Sequence, residues 1–276
     1  MSDARTAWPI DWDEAFDNAG HVAGAAELAG GWARQAAAFR ATARGELDLP
    51  YGPGARNRFD LFRPEGTAAG LVVFVHGGYW HKFDKSVWSH LAAGPLAAGW
   101  AVAMPSYTLA PEGRISQMTG EIAQAVGAAA ARVEGPLRLI GHSAGGQLVS
   151  RMGCAGGPLA GAVAARLDRV ISLSGLHDLR PLLGTRMNDI LGLTPEEAAA
   201  ESAVLCAPRR DLDLRFWVGT AERPEFLRQT RLIAEVWGEG GARVRDHYDP
   251  GHTHFTVVGE LARPESDLVR ALVGQG

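Results

Sequence analysis

Residues 137 to 150 read Leu137-Arg138-Leu139-Ile140-Gly141-His142-Ser143-Ala144-Gly145-Gly146-Gln147-Leu148-Val149-Ser150. Leu137, Leu139 and Ile140 form a short apolar run with strand character, and from Ala144 to Met152 apolar residues recur at helical spacing. Between them lies Gly141-His142-Ser143-Ala144-Gly145, a Gly-x-Ser-x-Gly pentapeptide at a strand-to-helix junction. A nucleophile elbow requires that setting. Its turn is so tight that the residues two before and two after the serine must lack bulk, as Gly141 and Gly145 do. The serine then stands at the amino end of a helix, where free amides and the helix dipole favour developing negative charge. Two rival readings of such a turn fail. A dinucleotide-binding turn needs Gly-x-Gly-x-x-Gly, and Ser143 replaces the middle glycine that lets a pyrophosphate approach. A Walker phosphate loop needs Gly-Lys-Ser/Thr, which does not occur.

Outward from this stretch, short apolar runs recur at Leu71–Val75, Ala101–Met104, Val170–Leu173 and Leu214–Val218, as expected of strands buried on both faces. Arg58–Arg63 alternates polar and apolar residues and reads as a half-exposed strand after a turn at Tyr51–Gly54; Arg243–Tyr248 reads as a last strand. Helices are expected over 116–133, with Ile122, Val126 and Ala129 inward, over 224–237 and over 256–273. This alternation predicts an α/β protein with a doubly wound, mostly parallel sheet and helices on both faces. Residues 12–45 read as two helices broken near Gly30-Gly31 that pack on the main domain, with Trp12 and Phe16 the residues that would argue instead for a gating role over the cleft. The expected division is an N-terminal helical segment, 1–50, packed on a main domain, 51–276, with a small cap-like insertion at about 180–210.

Composition narrows the function. A chain of 276 residues can bury the core of one large α/β domain, and a net charge of −4 gives no argument for nucleic acid or an anionic membrane surface. The opening residues are acidic with no uninterrupted apolar segment, and no run reaches the ~20 apolar residues of a membrane span. A cytoplasmic protein is expected, its partner a small molecule. Cys154 and Cys206, far apart in sequence, are expected as two buried thiols. The oligomeric state stays open, with a homodimer among the options.

Ligands of such sheets bind beyond the carboxyl ends of the strands, and His76, Ser143, Glu222 and His254 all fall just past strand ends. A nucleophilic serine needs a base to take its proton and a carboxylate to orient that base. On elbow folds the order along the chain is serine, acid, histidine. Only His177, His247, His252 and His254 follow Ser143, and the last pair sits in the loop after the final strand, where the base belongs. His254 is chosen over His252. His-x-His also invites a zinc reading, but no third ligand stands at a recognisable spacing, so neither metal nor cofactor is expected. Glu222, after the strand ending at Val218, is chosen as the acid over Glu225 and Asp178. The oxyanion needs amide donors: one is that of Ala144, and others come from His76-Gly77-Gly78-Tyr79-Trp80. Tyr79 and Trp80 are expected to line the substrate pocket, which would suit an aryl group.

With these residues assembled, the chain from about Tyr51 onward resembles the α/β-hydrolase superfamily, in particular its kynurenine formamidase (arylformamidase) branch. His76-Gly77-Gly78-Tyr79-Trp80 matches that branch's HGGxW motif, where related esterases usually carry HGGG. The resemblance implies that the amides of Gly78 and Tyr79 form the oxyanion hole. Tyr107-Thr108-Leu109-Ala110-Pro111 resembles a segment shared by both branches, and His254-Phe255 matches the family's His-Phe. In the family's acid loop an aspartate precedes Ser-Pro-Glu-Phe; here Glu222 stands in its place, before Arg223-Pro224-Glu225-Phe226. The reaction so implied is hydrolysis of N-formyl-L-kynurenine to L-kynurenine and formate. The alternative is a carboxylesterase acting on short acyl esters, and a catalytically silent binding module is a third class.

Overall fold

The structure, a computed structural model, describes residues 10–159 and 161–274; residues 1–9, the start of the acidic amino-terminal stretch, lie outside it, as do 160 and 275–276. Eight strands form one sheet: β1 (Gly45–Pro50), β2 (Arg58–Phe62), β3 (Leu71–Val75), β4 (Ala101–Pro105), β5 (Leu137–His142), β6 (Leu167–Leu173), β7 (Asp213–Gly219) and β8 (Arg243–Asp249). Their order is β1-β2-β4-β3-β5-β6-β7-β8. β1 and β2 run antiparallel to their neighbours, and every pair from β4 to β8 is parallel.

Side chains alternate across each strand, so two cores form, one per face. Leu71, Val73 and Val75 of β3 join the larger core with Leu137, Leu139, Phe216 and Val218. Val72 and Phe74 point the other way, to Ile140, Ile171 and Trp217. Ten helices accompany the sheet among the described residues: α1 (Trp12–Phe16), α2 (Ala25–Thr42), α3 (Ala93–Ala97), α4 (Ile115–Ala130), α5 (Ala144–Met152), α6 (Gly161–Arg166), α7 (Asn188–Leu191), α8 (Pro195–Ala200), α9 (Pro224–Glu239) and α10 (Asp267–Val273). α4 and α5 cover the larger core, with Ile122, Val126 and Ala129 wholly enclosed, and α10 contributes Leu268, Val269 and Leu272 to the other. No described helix is long and apolar enough to cross a membrane.

Four sequence expectations change. α2 runs unbroken through Gly30 and Gly31, and the interruption falls instead at 17–24, where Gly24 takes a left-handed φ of 73°. The glycines each weaken a helix by ~1 kcal/mol; Trp32 against Trp88, at 4.7 Å between ring centroids, and Phe39 against Phe62, at 5.2 Å, hold it from both ends. Gly45–Pro50, read as part of a helical segment, is an edge strand. Because β1 flanks it, β2 is buried in all but its first residue rather than half exposed, and its polar Asp60 is neutralised by Lys85 at 2.7 Å. The chain after β8 closes with a 3-10 turn at 257–262 and the short α10, not one long helix. Within 180–210 the chain forms two 3-10 turns, α7 and α8 between β6 and β7.

Candidate active site

β5 ends at His142, and the chain reverses into α5 through Ser143, whose φ of 56° and ψ of −117° lie outside the regions open to most L-residues. The bend needs glycine on both sides. A Cβ on Gly141 would lie 2.1 Å from the Gly145 carbonyl oxygen, and one on Gly145 would lie 2.0 Å from that of Val75. The Ser143 amide donates to the Leu173 carbonyl at 2.9 Å, which ties the elbow to β6. The hydroxyl therefore stands at the amino end of a buried helix, beyond the carboxyl end of the sheet.

His254 lies in the loop after β8 and is 3% exposed. Its Nδ1 donates to Glu222 Oε2 at 2.7 Å, which leaves Nε2 as the ring's acceptor. Glu222 sits in the turn between β7 and α9, its side chain fully enclosed. Its other oxygen accepts from Ser174 Oγ at 2.6 Å and the Gly219 amide at 2.8 Å, so the carboxylate is fixed from both sides. The rival residues are engaged elsewhere. Asp178 pairs with Arg180 at 2.8 Å, Glu225 with Arg228 at 2.7 Å, and His252 turns to Thr256 Oγ1 at 3.3 Å.

Ser143 and His254 line the same cavity, of about 30 Å³, together with Gly78, Tyr79 and His142. The loop after β3 presses directly on Ser143: a Cβ on Gly77 would lie 2.9 Å from that of Ser143. Gly78, Tyr79 and Trp80 all take positive φ, 122°, 52° and 58°. Among the described residues none accepts a hydrogen bond from the amides of Gly78, Tyr79 or Ala144. His76 anchors the loop, with Nδ1 donating to the Gly77 carbonyl at 2.7 Å and its ring stacked on Tyr107 at 4.5 Å. Burial pushes the His76 imidazole down to about 4, so it is neutral at pH 7.

Trp80, expected in the pocket wall beside Tyr79, is instead wholly buried, and its indole donates to Gln147 Oε1 on α5 at 3.0 Å. It ties the loop to α5. Trp12 is likewise buried, stacked on Phe16 at 6.1 Å. The aromatic wall comes from Trp32, Phe83, Trp88 and Phe255. Of these only Phe255 had a sequence signal, its place beside His254; Trp32 arrives from α2, far away in the chain. Ser174 has no motif of its own in the sequence; its only signal is that it follows the carboxyl end of β6, where site residues gather. In the sequence His142 stands out only as part of the pentapeptide. Its Nε2 donates to the His254 carbonyl at 2.9 Å, and burial and His254 hold its ring well below the ordinary histidine range, neutral. Tyr79 also borders an outer cleft of about 550 Å³ between α1, the β3 loop and the segment around Thr185.

Among known protein families, the α/β-hydrolase family matches residues 72–273. The chain belongs to that family and is a hydrolase of the α/β fold. It is similar to the kynurenine formamidase of Salmo salar, at 27% identity over 85% of this chain and 83% of that one. The kynurenine formamidase of Drosophila melanogaster is 29% identical over 81% and 79%. A crystal structure from Silicibacter sp., provisionally described as a thioesterase, is 50% identical with a TM-score of 0.90, covering 95% of this chain and 99% of that one. An esterase from Pyrobaculum calidifontis, 15% identical with a TM-score of 0.68 over 89% and 90% of the two chains, shares the fold.

Proposed function

We propose that the protein is a serine hydrolase that removes a small acyl group, foremost formyl, from an aryl amide or ester through an acyl-enzyme, as an N-formylkynurenine formamidase-like enzyme. The observation that carries this reading is the His254–Glu222 pair, bonded at 2.7 Å, in one small cavity with Ser143. His254 Nε2 takes the Ser143 proton as Oγ attacks the carbonyl carbon. The tetrahedral oxyanion is held by the amides of Gly78, Tyr79 and Ala144, each such donor contributing about 3 kcal/mol. Enclosure keeps Glu222 unhydrated beside the imidazolium, so its charge acts at full strength. His254 then returns the proton to the leaving amine or alcohol, and water, activated by the same imidazole, releases formate or a short acid.

The inner cavity, at about 30 Å³, suits the smallest acyl groups, and the outer cleft past Tyr79 offers room for a bulky leaving group. Likeness to the two kynurenine formamidases points the same way. The second reading is a carboxylesterase for short acyl esters, since its catalytic groups would be identical; the provisional description of the Silicibacter structure adds thioesters to the comparison. Measuring kcat/KM for N-formylkynurenine, p-nitrophenyl acetate, p-nitrophenyl butyrate and a short acyl thioester under one condition decides between them. The formamide should lead; preference for an ester or thioester would overturn the formamidase assignment and keep the hydrolase.

A further inference from the structure

The two cysteines take no part in this chemistry, yet the fold brings them together. Cys154 follows α5 and is buried; Cys206 follows the 3-10 turn at 203–205 and is partly exposed. Their backbones run side by side, with the Ala155 amide donating to the Ala207 carbonyl and the Arg209 amide to that of Gly153, both at 2.8 Å. One nitrogen of Arg151, Nη1, donates to both sulfurs, at 2.8 Å to Cys206 Sγ and 3.3 Å to Cys154 Sγ. Glu201 holds the guanidinium from its other side at 3.3 Å. A cation facing a partly exposed sulfur favours thiolate, and a protonated thiol beside it is the arrangement of an attacking and a resolving cysteine.

We propose that Cys154 and Cys206 form a reversible thiol–disulfide site whose oxidant is a hydroperoxide. The Cys206 thiolate attacks the terminal peroxide oxygen; the O–O bond breaks and the alkoxide leaves, taking a proton from solvent. Cys206 is then a sulfenic acid, oxidised by two electrons, and the peroxide has become an alcohol. The Cys154 sulfur attacks that of Cys206, the S–S bond forms, and the departing hydroxide leaves as water with the Cys154 proton. The neighbouring Cys154 thiol and the Arg151 charge draw the Cys206 thiol down, against the effect of burial, while Cys206 and burial push the Cys154 thiol up. The roles are thus unequal: Cys206, partly exposed and nearer the guanidinium, attacks, and the buried Cys154 resolves.

The test treats the native protein with one equivalent of hydrogen peroxide, counts thiols after denaturation and maps peptides by mass. Both thiols should disappear together, the two cysteine peptides should appear joined, and dithiothreitol should restore both. In Cys154→Ser, dimedone should trap a sulfenic acid on Cys206, and in Arg151→Gln the reaction at pH 7 should slow about tenfold as the thiolate fraction falls. Persistence of both thiols in the folded wild type, or oxidation of Cys206 to the sulfinic acid with Cys154 untouched, would overturn the proposal. The readout is thiol content, so it stands or falls apart from the hydrolase assignment.

Discussion

Ser143 carries the φ of 56° that most residues avoid, and its neighbours keep it there: no side chain but hydrogen fits at Gly141 or Gly145. Gly145→Ala would drive a methyl into the Val75 carbonyl, so a loss of more than about 2 kcal/mol in unfolding free energy is expected, read from denaturant titration. The Gly-x-Ser-x-Gly spacing made this residue legible, because the steric demand lies within five positions of the chain. The choice of carboxylate was less so. Several carboxylates follow Ser143; Asp178 and Glu225 pair with arginines two and three residues along the chain, whereas Glu222 meets His254, 32 residues away, a tertiary contact. Glu222→Gln keeps the size of the group and removes the charge opposite His254; kcat should fall ~10³–10⁴ with KM nearly unchanged. A smaller loss than tenfold would show that the carboxylate is not orienting the base.

Elements explain what the residue pattern could not. The parallel strands announced themselves as short apolar runs because burial on both faces leaves no polar position. β1 did not: Gly45–Pro50 is exposed almost throughout and carries no such run. α2 was legible as helical, but neither as one unbroken helix nor as a wall of the site, since the packing of Trp32 on Trp88 and Phe255 depends on where the sheet places those rings. Trp32 bounds the cavity proposed to hold the acyl group. Trp32→Ala should therefore raise the kcat/KM ratio of p-nitrophenyl butyrate over acetate by about tenfold, the scale of a few methylenes admitted or refused. An unchanged ratio would reduce the ring to a packing role. Trp80 shows the converse: a motif residue whose side chain, bonded to Gln147, holds the loop rather than the substrate.

At the scale of the molecule, the site depends on a sheet whose two faces are both sealed, and sealing leaves buried histidines without a place for charge. Burial pushes His76 and His90 down to about 4 and His177 down to about 3. The unfolded chain takes up these protons near pH ~6.5, whereas the folded protein refuses them until pH falls further. Stability contributed by their neutrality is therefore complete above about pH 6.5 and declines as the pH drops through 4, by on the order of 3 kcal/mol for the wholly enclosed His76. Unfolding between pH 4 and 6.5 should take up protons, measured by the fall of the melting temperature across that window; His177→Gln, if it folds, should flatten the slope. All of this supports one bend in the chain. The most direct test of its role is to expose the native enzyme to a fluorophosphonate probe and locate the adduct by mass spectrometry. The account predicts stoichiometric phosphonylation of Ser143, abolished in Ser143→Ala and greatly slowed in His254→Asn; an unlabelled Ser143 in a protein that still hydrolyses its substrate would contradict it.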